Sequence, residues 1–92
     1  MRAAGSMAWR RDPDLPHQRL DEDTVVVDPR RREVHLLNET ATRVWELLAS
    51  PRSIDELVAL LVDEYEAPPD EVRASTVELV RELESKGVLL GG

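Results

Sequence analysis

Between Glu33 and Leu48 the run EVHLLNETATRVWELL changes its hydrophobic period across a single asparagine. Before Asn38 the apolar residues alternate, as a half-buried strand requires; after it, Ala41, Val44, Trp45 and Leu48 recur three and four apart, as one face of a helix requires. Asn38 suits the junction because its side-chain oxygen can accept from an otherwise unpaired amide of the first helical turn, a contribution of about 1 kcal/mol. A strand over 32–37 feeding a helix over about 39–49 restricts the chain to folds in which sheet and helix share one core.

The flanking sequence extends both halves. HQRL at 17–20 and TVVVD at 24–28 read as strands, and Pro29 in DPRR fits the second position of a type I turn, so an antiparallel meander is expected. After SPR at 50–52, SIDE at 53–56 has the form of a capping box, and Ile54, Leu57, Val58, Leu61 and Tyr65 form one stripe of a helix over 54–65. Pro69 at a first helical position, with Asp70 and Glu71 behind it, opens a third helix that runs to about 86 and stops at Gly87. VLL at 88–90 could lie back on the core. Residues 1–16 hold Gly5, Ser6, Pro13 and Pro16 without a period and read as a flexible arm, leaving 17–92 as the domain. Trp9 lies outside every periodic segment. The expected architecture is α+β and winged-helix-like, a three-stranded antiparallel sheet followed by three helices.

The chain has 92 residues, 41% of them hydrophobic, but one Tyr, two Trp and no Phe. Leu and Val must therefore build the core, with Trp45 its bulkiest piece. The absence of cysteine excludes disulfides and thiolate chemistry and fits a cytoplasmic protein; no apolar stretch has the length of a signal peptide or membrane span. Residues 1–37 carry seven basic and seven acidic side chains, whereas 38–92 carry five and twelve, so the net charge of −7 belongs to the helical part. Such a surface repels phosphate backbones and anionic membranes.

No catalytic constellation is legible. The two histidines, His17 and His35, fall on different strands with no ligand spacing around them, and no glycine-rich phosphate loop is present. The informative feature is the third helix. Val72, Thr76, Leu79 and Leu83 suffice as its core stripe, and Val77 and Val80 extend the apolar arc to one side. That shoulder either covers a strand or lines a groove. Beside a free sheet edge, a groove would offer both backbone hydrogen bonds and apolar pockets to an added peptide strand.

The order HLLNETATRVWELL, SIDELVALLVDEYEAPPDEV, LVRELESKGVLL resembles the PqqD-like proteins, or RiPP recognition elements, over about residues 17–90. The resemblance implies a non-catalytic adaptor without cofactor or metal. It would bind the leader segment of a ribosomally made precursor peptide and present the core segment to a modifying enzyme, with a radical S-adenosylmethionine maturase the expected client. The leader would add as a strand along Glu33, Val34, His35, Leu36 and Leu37, and the apolar shoulder described above puts the helix wall at Arg73, Thr76, Val77 and Val80. The chain departs from the family pattern at Ala49-Ser50, where Asp-Gly is common, and at Ser75-Thr76, where Asp-Val is common.

Two other readings compete. A winged helix often binds DNA, yet the third helix has five acidic and three basic residues between Asp70 and Lys86, and a groove reader needs basic and amide side chains near its start. Alternatively the free strand pairs with its own copy, so that the expected state is a monomer or a weak homodimer.

Overall fold

The computed structural model describes residues 7–91. Asn38 is extended (φ −72°, ψ −177°) and its Oδ1 accepts from the Ala41 amide at 3.0 Å, so the helix begins at the expected residue. Thr42 adds a second tie, its hydroxyl donating to the Leu37 carbonyl at 3.2 Å in the interior. Ser53 and Glu56 answer each other's backbone amides at 3.1 and 2.9 Å, which completes the capping box of the next helix.

In chain order the elements are β1 (Trp9–Arg11), β2 (His17–Leu20), β3 (Asp23–Asp28), β4 (Glu33–Leu37), α1 (Glu39–Leu47), α2 (Ile54–Tyr65), α3 (Pro69–Ser85) and β5 (Leu89–Gly91). β2, β3 and β4 form the expected antiparallel meander, with β3 central and the three helices following. Val26 and Leu37 from its inner face meet Val44, Trp45 and Leu48 of α1 and its exit, Leu57 and Leu61 of α2, and Val80 and Leu83 of α3 in one buried cluster. Trp45 is 1% exposed, with the His17 ring edge-on at 5.5 Å and the Arg11 guanidinium 5.5 Å from its ring centroid. In a chain without Phe, this indole occupies the volume that several smaller side chains would otherwise have to fill.

The arm expected over residues 1–16 needs correction from Trp9 onward. β1 pairs antiparallel with β5, Trp9 opposite Gly91 and Arg11 opposite Leu89, and Trp9 also exchanges backbone hydrogen bonds with Arg52 at 2.7 and 2.9 Å. Leu15 is buried in the core. Asp12, nearly buried, accepts from the Asp14 amide at 2.9 Å and from Arg30 Nη2 at 3.2 Å. The folded unit thus begins before residue 17. Three-residue strands are too short to show a period of two, and their stability comes from partners remote in sequence. Residues 1–6 lie outside the described residues. At the other end Val88 and Leu89 are buried, as the apolar ending suggested.

One local conflict is electrostatic. The Glu22 carboxylate at the β2–β3 turn raises Glu39 above its ordinary 4.5, through a shared hydrogen bond first and through its charge second. A raised carboxyl binds its proton more readily in the fold than in the unfolded chain, so the pair favours folding at low pH and opposes it as pH rises through the carboxylate range. Glu22→Gln is expected to raise Tm slightly at pH 7, and the gain over the parent should vanish below about pH 4.5 in thermal melts followed by circular dichroism.

Stability should track burial. In urea titration Asn38→Ala should cost about 1 kcal/mol. Trp45→Ala should cost about 3–5 kcal/mol.

Candidate functional site

The β2–β3–β4 sheet ends at β4, so among the described residues one side of that strand has no strand partner. Which of its backbone groups are free follows from the pairing. The Val27 amide donates to the Pro16 carbonyl at 2.9 Å, and the two-residue turn between Leu20 and Asp23 keeps the same register, so Asp23, Val25 and Val27 direct their backbone groups toward β2. In an antiparallel ladder the alternate residues turn the other way. Thr24, Val26 and Asp28 therefore serve β4, opposite Leu37, His35 and Glu33. Val34 and Leu36 are left with N–H and C=O groups directed outward.

Side-chain direction alternates in step. Leu37 is buried and His35 largely so, whereas Val34 and Leu36 are 67% and 64% exposed. The His35 Nε2 is buried and lies 3.6 Å from Glu33 Oε1, without a hydrogen-bond partner. On the outer face Val34 and Leu36 stand beside Val27 and Val25 of β3, so the free edge is flanked by aliphatic surface.

α3 meets the segments that flank β4 at both ends. At one end Arg31, in the β3–β4 turn, donates from Nη1 to the Lys86 carbonyl at 2.9 Å. This is the point at which Gly87, at φ +77°, turns the chain; a Cβ there would collide with the Arg31 guanidinium. At the other end Thr40, three residues beyond β4, shares a hollow of about 210 Å³ with Ser75, Glu78, Leu79 and Glu82 of α3. Thr40, Ser75 and Leu79 also border a second hollow of about 240 Å³, with Tyr65 and Val72 further in. Desolvation is the main reason the Tyr65 phenol sits above its ordinary 10.0, with the Glu64 carboxylate adding to it. The α3 row on the Thr40 side is thus Ser75, Leu79 and Glu82.

This changes the wall expected from the sequence. Arg73 and Val77 line a different cleft, bounded by Trp9 and Ile54. At roughly 100° per residue, they lie about half a turn around the helix from Ser75, Leu79 and Glu82. Val80 is 2% exposed and belongs to the core, so Val80→Asp would test folding rather than binding. Thr76 is also buried, and it alone of the four reaches a hollow on the edge side. The five strand positions stay together; Arg73, Val77 and Val80 do not join them. On the Thr40 side, Leu79 had been assigned to the core stripe, and Ser75 and Glu82 flank that stripe.

Among the described residues no group of three His, Asp or Glu side chains is placed to hold a metal ion, and no helix is long and apolar enough to cross a membrane.

The model of the family described as Coenzyme PQQ synthesis protein D (PqqD) matches residues 23–89. Two solved structures share the fold. One is TbiB1 in complex with the TbiA(beta) leader peptide, 20% identical, with a TM-score of 0.78 over 87% of this chain and 93% of that one. The other is the solution structure of the PqqD truncation of Methylobacterium extorquens PqqCD, described as a functional, stand-alone RiPP recognition element. It is also 20% identical, with a TM-score of 0.74 over 95% of this chain and 93% of that one. No curated protein matches the chain in sequence.

The alternation along β4 can be read by amide hydrogen exchange followed by NMR. Val34 and Leu36 should exchange at least ~10-fold faster than His35 and Leu37, whose amides are committed to β3.

Proposed function

The chain belongs to the PqqD family, and from that premise we propose that it is a peptide-recognition adaptor. It binds the leader segment of a ribosomally synthesised precursor by strand addition along β4 and presents the remainder to a modifying enzyme. The carrying observation is the outward pair Val34 and Leu36, whose two N–H donors and two C=O acceptors meet the requirement of an added antiparallel strand. A leader residue opposite Val34 or Leu36 exchanges hydrogen bonds there and sets its side chain on the aliphatic outer face; the residue between turns toward Ser75 and Leu79. Two of the similar proteins support this reading, one solved with a leader peptide bound and one described as a recognition element.

The adaptor contributes no catalytic group and no cofactor; the chemistry belongs to its client, for which a radical S-adenosylmethionine maturase is our proposal. The expected setting is the cytoplasm, where precursor peptides are made. The acidic residues Glu78 and Glu82 beside the edge disfavour nucleic acid as the ligand of this face. Homodimerisation through β4 would consume the same two residues and so would compete with leader binding.

Calorimetry with separate leader and core peptides is expected to show 1:1 binding confined to the leader. Leu36→Pro removes an outward donor while leaving the β3–β4 ladder intact, so the variant should stay folded by circular dichroism and bind leader at least ~10-fold more weakly. Ser75→Arg should also weaken binding, whereas Val77→Asp should not. A folded Leu36→Pro variant with parental affinity would refute docking on this edge.

A further inference from the structure

The reverse side of α3 carries a larger cleft, of about 430 Å³, that the leader reading does not use. Trp9, Ile54 and Val77 give it apolar walls, with Val80 beneath, and Arg73 and Arg81 stand at its rim. Arg73 is ion-paired with Asp55, and both are at least half exposed. Arg81 has no ion pair within 4 Å among the described residues. The lining thus holds two guanidinium groups and one carboxylate, in a chain whose net charge is −7. Local charge is opposite in sign to the molecule, and apolar surface lies directly beneath it.

We propose that this cleft docks a short acidic segment of a partner protein. One apolar side chain of the segment sits between Trp9, Ile54 and Val77. A flanking carboxylate pairs with Arg81, and a second competes with Asp55 for Arg73, each as a fork of charge-assisted hydrogen bonds. The apolar walls favour a peptide over a nucleic acid, because a phosphate backbone has nothing to place between them and the remainder of this acidic surface repels a polyanion. The cleft admits only one or two side chains, so on its own it binds weakly and gains strength as one contact of a larger complex. It lies about half a turn around α3 from the leader-facing row. On the adaptor reading above, a leader on β4 and a partner segment here are held at the same time.

The probe is a capped pentapeptide alternating glutamate and leucine, with the lysine–leucine counterpart as control. The readout is the two indole N–H signals in an NMR titration, since Trp9 lines the cleft and Trp45 is enclosed. The acidic peptide should shift Trp9 and leave Trp45 in place. Arg81→Gln should weaken it, Arg81→Glu should weaken it at least ~10-fold, and Leu36→Pro should leave it unchanged. Because Leu36→Pro is expected to weaken only leader binding, failure of the edge and failure of the cleft are read separately. Equal binding of the lysine peptide, no Trp9 shift at millimolar concentration, or full affinity in Arg81→Glu would overturn the proposal. So would a Trp9 shift that depends on protein concentration alone and disappears in Arg81→Glu, since the occupant would then be a second copy of this chain.

Discussion

The burial of Leu37 constrains the rest of the molecule. It is the last residue of the β2–β3–β4 sheet and a fully enclosed side chain of the shared core, so the face it takes sets the face of every residue in β4. Face and hydrogen-bond direction both alternate with period two. With Leu37 inward and paired to Thr24, Val34 and Leu36 must point outward in both respects. A slip of one residue would expose Leu37, bury the wrong side chains and turn the backbone groups of Glu33, His35 and Leu37 outward in place of those of Val34 and Leu36. The packing energy that holds the fold together therefore also keeps the outward backbone groups of Val34 and Leu36 available.

Asn38 protects that arrangement from the other side. Its cap lets the chain leave the sheet and enter α1 without an intervening loop, which carries Trp45 directly over the inner face. In a protein of 92 residues the core is thin, and one indole with its neighbours accounts for much of it. Destabilising either residue should act on recognition only through the folded fraction.

Much of this architecture was legible before any coordinates. Periodicity and caps located the meander and all three helices, because both signals are local. β1 and β5 were illegible for the opposite reason: three residues carry no period, and Trp9 finds its place only through Gly91 and Arg52, which are distant in sequence. The strand positions of the proposed site were readable as a resemblance, and the structure puts Arg73 and Val77 on the other side of α3 from Thr40 and Val80 in the core. The stripe of Val72, Thr76, Leu79 and Leu83 is centred about 40° from the observed core row of Thr76, Val80 and Leu83. α3 has aliphatic residues on both shoulders, and a rotation that small exchanges which shoulder is taken as core and which as groove. Only the position of Thr40 and the Arg31 contact to Lys86 break that ambiguity.

The pairing of Trp9 with Gly91 brings residues 82 apart in sequence into adjacent positions on a small sheet. The chain enters the fold at Trp9 and leaves it at Gly91 through the same corner of the domain, beside the Trp9 ring. The fold is consequently suited to being carried as a cassette: spliced into a loop, or tethered from either side, it would present the same recognition edge at nearly the same distance from its host.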